Sequence, residues 1–446
     1  MFLRNSKTRS ARGAARSLVS PVAWILFFVA ALGPASDGAA QYNSPAFDRE
    51  SWTMPDQEDM ETAYKDARWS AGPLRVQPWL GVRDASLVTI QDRNVDGTLE
   101  ERDDFTVTAG AGLRAYARNS PKLVFAVHAL PEYVWWQDED DKSGLNGRYG
   151  AGLFGFYNRL KLETSVRRVE QQDLFSTEVQ ELTTVRRDIA TVGVDVEALR
   201  GLHVFGAYRS TDIAAQEDDR VLFQSLDRTE SSTSFGVRLE SARGFEIGVG
   251  VRDSEIELED AGRRLSADGS GVFLRAVYGD ERFKGLVDIE RLEREPTAGS
   301  LLVPLEEWVG AVRATWDSGR LFSLQIYQEQ DLNYSVLGSV SHLLTRRTGV
   351  TTRLRSKRSS FDFTYATGED ELIGITTAGN RTDDVTELRA AVNIPVGDLA
   401  LQIYGSSFDY DSDLEIFDRE FSSFGVRVDL GALARRLSLG SAEGVW

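Results

Sequence analysis

Residues able to do chemistry are few in this chain of 446, and their spacing argues against catalysis. The three histidines, His128, His203 and His342, stand far apart and in no HxxxH or HExxH arrangement, so zinc hydrolysis has no basis. With no cysteine at all, thiolate metal sites, disulfide scaffolds, CxxC redox chemistry, cysteine nucleophiles and a lipoprotein anchor are excluded. A serine hydrolase would need a serine activated by one of the histidines. His128, on the run Val124-Phe125-Ala126-Val127-His128, is the least poor candidate, and a plain wall position is its ordinary reading. No nucleophile elbow or phosphate-cradling glycine loop appears, so the chain is expected not to be an enzyme and to carry no cofactor.

The sharpest metal-like string runs from Asp92 to Asp103, with oxygen donors Asp92, Asn94 and Asp96 at positions 1, 3 and 5, Gly97 at position 6 and Asp103 at position 12. Calcium loops use that spacing, normally with Glu at position 12 and helices on either side. Here the last donor is Asp and the flanks are strand-like, which leaves an exposed acidic turn as the competing reading. The net charge of −18 and the lack of a basic stretch after the first forty residues exclude nucleic acid as a partner, because affinity for it comes from Lys and Arg neutralising phosphates.

The elements that would position these residues come in two kinds. Residues 1–40 begin with Arg4, Lys7, Arg9, Arg12 and Arg16, pass into an apolar run from Val22 to Leu32, and end in small residues up to Ala40. That is a secretory signal, with an apolar run shorter than the ~20 residues a spanning helix needs. Cleavage near Ala40 removes five basic residues and one acid, which leaves the mature chain at −22. From Leu74 onward the sequence alternates apolar and polar residues, as in Phe105 to Tyr116 and Phe245 to Arg252, and alternation of period two is the mark of strands.

About eighteen such strands fit between Leu74 and Leu430, joined alternately by short turns (Asn158-Arg159, Arg200-Gly201) and by longer polar stretches near 92–104, 137–147, 170–182, 213–230, 258–268, 295–304, 331–341, 367–383 and 410–418. Short and long connections in turn predict an all-β, transmembrane up-and-down antiparallel barrel, with short periplasmic turns and long extracellular loops. The polar face of each strand would line the lumen. It carries the basic residues Arg114, Arg252, Arg275, Arg313, Arg353, Arg389 and Arg427. The acids on it are Asp195, Glu197, Glu246, Asp288, Glu290, Glu329, Asp362, Glu387 and Asp429. A solvated face of soluble sheets is the alternative for these charges.

Aromatic placement favours the membrane. Trp308 and Trp316 share the apolar face of one strand, and eight residues at ~3.3 Å, tilted ~45°, put them roughly 19 Å apart along the membrane normal. Trp135 and Trp136 are the other expected members of the interfacial girdles. Residues 41–73 lack alternation and include a short acidic helix around Asp56 to Ala67, as a periplasmic arm or a plug. Residues 431–446 form a tail ending in Trp446. Outer-membrane lipid and lipopolysaccharide are the expected partners, the latter through divalent cations at the acidic rim.

An Asp-x-Asn-Val string follows the first strand (Asp92-Arg93-Asn94-Val95), and Asp103-Asp104 opens the second. With the hairpin cadence of Trp308 to Tyr334 and the closing strand Phe421 to Leu430, the chain from Leu74 to Leu430 resembles the outer-membrane β-barrel porins of Gram-negative bacteria associated with exopolysaccharide gene clusters. The resemblance implies a passive pore or export partner for exopolysaccharide or small solutes, working with polysaccharide export machinery, and it implies no metal role for the acidic string. Two rivals remain: a structural or adhesive barrel with a closed lumen, and a barrel enzyme acting on envelope lipid through His128.

Overall fold

The computed structural model describes residues 57–429 except 68, 94–98, 121, 177–178, 216–226, 242–243, 261–262, 281, 320, 335–339, 357–358, 376–379, 397–398 and 414–417. The proposed signal, residues 41–56 of the N-terminal segment 41–73, and the tail 431–446 lie outside the described residues. Among the described residues a helix α1 (Gln57–Asp66) comes first, close to the expected bounds, then a three-residue strand β1 (Trp69–Ala71) that turns back on β2.

The wall follows as hairpins: β2 (Leu74–Arg93) with β3 (Leu99–Ser120), β4 (Leu123–Trp136) with β5 (Gly144–Tyr157), and β6 (Leu160–Ser176) with β7 (Val179–Leu199). Next are β8 (Leu202–Ala215) with β9 (Arg228–Ser241), β10 (Phe245–Asp260) with β11 (Arg263–Gly279), and β12 (Phe283–Pro296) with β13 (Leu305–Asp317). The last are β14 (Phe322–Tyr334) with β15 (Val340–Arg355), β16 (Ser360–Gly374) with β17 (Arg381–Val396), and β18 (Leu399–Ser412) with β19 (Arg419–Asp429). Each of β2 to β19 pairs antiparallel with its neighbour in sequence, and β19 returns to β2 through Phe424↔Leu87 and Gly425↔Ser86. Eighteen strands thus close a barrel, as the alternation predicts.

The period-two pattern sorts the side chains. Leu113, Phe125, Leu153, Leu162, Val166, Val192 and Val194 are exposed on the outer face. Their sequence neighbours Arg114, Val124, Phe154 and Asp195 are buried inside. On β6 the outer face is apolar for about two turns of the pleat above the short turn, through Leu162 and Val166, and then becomes charged at Arg168, whose guanidinium grips Asp188 of β7 at 2.6 and 2.8 Å. Trp308 and Trp316 are both exposed on the outer face, at 57% and 48%, and the Arg291–Glu306 ion pair lies just beyond Trp308.

Two expectations need correction. Trp136 is only 2% exposed and points inward, where it packs with Val88, Val134, Val385, Phe408 and Tyr410 and its Nε1 donates to Gln172 Oε1 at 2.9 Å. Consecutive strand residues face opposite sides, so only Trp135 of the pair can reach the outer face. The second concerns the long connections, much of whose length is strand: Asp92 still pairs with Glu100, and Asp260 with Arg263. Antiparallel pairing satisfies polar backbone as well as apolar, so the ladders run beyond the apolar band.

Candidate functional site: the barrel interior

An eighteen-stranded wall is wide enough for an aqueous channel, so the interior face is the candidate site. The charges expected there meet across neighbouring strands. Arg353 holds Asp362 in a two-pronged contact at 2.6 and 3.0 Å; Arg275 donates to Asp288 at 3.2 Å; Arg313 lies 3.9 Å from Glu329. Arg389 and Glu387, two apart on β17, pair with each other. Arg252 reaches Glu290 at 2.7 Å across the whole width of β11, because Gly271 lies between them and a Cβ there would collide with Glu290 Oε1. Arg114 is buried opposite His128. Glu197 instead caps a turn, accepting from the Gly201 N–H at 3.1 Å. The side chains of Arg427 and Asp429 lie outside the described residues.

Some interior groups escape a sequence reading: His203 and Arg238, which gather on the expected Asp195 and Glu246, and the pair Arg381 and Asp383. Asp195 is the centre of a cluster: His203 Nδ1 lies 2.7 Å from Oδ1, and Arg238 donates to Oδ2 at 2.5 Å and to Glu246 at 3.4 Å. The β7–β8 register, which sets Glu197 opposite His203, could have been counted outward from the Arg200-Gly201 turn, whereas the β8–β9 register that sets His203 opposite Arg238 crosses a long connection and could not. Arg381 and Asp383 form a buried two-pronged pair at 2.8 and 2.9 Å, to which the Ser412 hydroxyl adds a donation at 2.6 Å. Both acid and base fall in a stretch that the sequence assigns to a loop.

His128 has Arg114 and Gly150 as its cross-strand neighbours, neither of them a nucleophile. Of the calcium string, Asp103 is exposed on β3 opposite Thr89, and Asn94 and Asp96 lie outside the described residues.

Helix α1 occupies the short-turn end of the interior. Its apolar residues Met60, Ala63 and Tyr64, with Ala67 just past its end, recur at helical spacing and pack on the inward residues Tyr116, Val124, Ala126, Phe154 and Phe156 of β3, β4 and β5. The Tyr64 ring lies between the guanidinium groups of Arg75 and Arg118, 5.5 and 5.8 Å from its centroid, and Arg118 also meets Glu61 at 3.2 Å. Ten residues make a marginal helix on their own, so this docking is what sustains it.

Hydrogen bonds from Gln57 and Lys65, with the Arg118 charge, hold the Glu61 carboxyl below its ordinary value. A lowered carboxyl stabilises the docked helix above the ordinary carboxylate range, and the contribution disappears as the pH falls through the lowered value. Glu61→Gln at neutral pH is therefore expected to reduce amide-exchange protection of residues 57–66 by about twofold to fivefold, the scale of an exposed ion pair. The difference from wild type should vanish in acid below that value; equal protection at neutral pH would remove Glu61 from the docking.

No family model matches the chain, and no curated protein matches it. Among solved structures it is similar to a BenF-like porin from Pseudomonas fluorescens Pf-5, at 10% identity over 79% of this chain and 97% of that one, with a TM-score of 0.48. It is similar to Acinetobacter baumannii OccAB3, at 12% identity over 79% and 99%, with a TM-score of 0.47. It is also similar to the siderophore receptor PirA from Pseudomonas aeruginosa, at 10% identity over 81% of each chain, with a TM-score of 0.42. Likeness at this level puts no residue of the chain in correspondence with theirs.

Proposed function

We propose that the chain is an outer-membrane pore that passes small polar solutes by diffusion, reached by export and cleavage near Ala40. The observation that carries this is the inversion of its faces: exposed Leu, Val, Phe and Trp outside, paired Arg and carboxylates inside. A soluble protein places these the other way, whereas a bilayer requires an apolar exterior and internally satisfied backbone. Interior guanidinium and carboxylate pairs replace part of the water that a hydrated solute gives up in passing.

The outward ion pairs Arg168–Asp188 and Arg291–Glu306, just above the apolar band, fit contact with lipid headgroups, lipopolysaccharide included. The finer proposal, from the resemblance alone, is that the solute is an exopolysaccharide or its fragments, delivered by export machinery. Swelling of liposomes containing the purified protein in isotonic sugar solutions tests both readings. Swelling with mono- and disaccharides supports the pore, and swelling that extends to longer oligosaccharides supports the polysaccharide. None with any sugar contradicts both.

A further inference from the structure

The wall is not smooth at its long-connection end. The ladder between β13 and β14 stops at Gly310↔Gln330, although both strands continue toward that end. Lower on the β14–β15 hairpin, Ile326, Gln328 and Thr348 are exposed on the outer face. Following the same face upward, Leu332 is partly buried, and Tyr334, His342 and Leu344 are buried. Their cover comes from the inner faces of other strands. Leu332 and Leu344 cluster with Leu292 and Val309 of β12 and β13, and Tyr334 clusters with Ile256, Leu258 and Ala267 of β10 and β11.

An outer face can meet an inner face only if the hairpin has passed inside the wall. Gly310 permits the step, with φ +143° and a backbone so close to Asp288 that a Cβ would collide with its carbonyl oxygen. The connection 297–304 holds the hairpin there: Ser341 Oγ accepts from Val303 N–H at 2.9 Å, and His342 Nε2 lies 2.8 Å from Val303 O. Arg228 of β9 stands 5.6 Å from the centre of the Tyr334 ring. The opposite side is covered too, since Leu343 and Val340 pack on Leu372 of β16. Nearer the short turns, on the side of β15 and β17 away from helix α1, Arg353, Arg355 and Arg389 are about one-third exposed.

From this lap joint we infer that the inward-stepped strand ends, residues 332–334 of β14 and 342–344 of β15, set the size limit of the pore, which the diameter of the wall would otherwise leave wide. The inference rests on the pore reading and specifies where that pore is narrowest.

Single-channel recording in planar bilayers tests it, comparing the wild type with a variant lacking residues 332–344, in which the paired residues Asp331 and Thr345 are joined by Asn-Gly. Heat-modifiable migration on a gel checks folding. The deletion is expected to raise conductance at least about twofold and to admit larger sugars in the swelling assay. Leu344→Asp keeps the full chain and should shift both readouts the same way by weakening the apolar seat. A folded variant of either kind with wild-type conductance and exclusion overturns the inference while leaving the pore intact. Silence from the wild type and both folded variants overturns the pore reading itself, and a silent wild type with a conducting deletion overturns the size limit, since the wild type would then pass nothing.

Discussion

Val312→Arg is expected to abolish most recovery of folded barrel from membranes. Val312 is exposed on β13 midway between Trp308 and Trp316, where an outward side chain would meet the centre of the bilayer. A cationic side chain on the lipid face costs ~2–4 kcal/mol at the midplane and about 0–1 near the interfaces. On an exposed face in water the same change would fall within about ±0.5 kcal/mol. Urea unfolding in lipid vesicles separates the two cases, with a control at Thr348→Arg on the outer face of β15, next to Arg346 near the charged belt. A large loss at 312 and a small one at 348 is the expected result. Equal small losses would mean that the apolar band does not face lipid.

The second large effect is expected inside the wall, from Asp383→Ala. The carboxylate is fully buried, takes both prongs of Arg381 and accepts the Ser412 hydroxyl. Removing it leaves a buried guanidinium without its counter-ion, which typically costs ~3–5 kcal/mol. The replacement of both partners by apolar residues should be far milder, because the main penalty belongs to the orphaned charge. Unfolding midpoints of Asp383→Ala and of the double variant Arg381→Met, Asp383→Leu test this. A single variant as stable as the double would show that water reaches Arg381 and that the long-connection end is open at β17.

Much of the fold was legible because the two-residue period survives in a single sequence. Each apolar, outward residue such as Val249 or Val251 announces its inward neighbours Gly250 and Arg252, and counting such segments yields eighteen strands. Pairing of charges within the wall was legible in part: strand faces identify Arg353 and Asp362, but their contact depends on the register across the Ser356–Ser359 turn. Three features were not legible, for different physical reasons. Trp136 was misplaced because an aromatic pair at a strand end gives no parity of its own. Arg381 and Asp383 were hidden because polar sequence above the apolar band forms ladders as readily as loops. The inward step of β14–β15 was invisible because alternation says which residues share a face and nothing about what that face touches. Its trace was Leu332, inside the stretch 331–341 expected to be a polar loop, with Leu343 and Leu344 just past it.

The most direct test of a water-filled passage through this wall is the current carried by the purified protein in a planar bilayer. Discrete steps in conductance that scale with salt concentration are predicted, with selectivity between cations and anions that changes when Arg353 and Asp362 are replaced singly. A protein that inserts, migrates as a heat-modifiable barrel and yet gives no steps at any voltage would contradict the account and leave a structural barrel with a closed lumen.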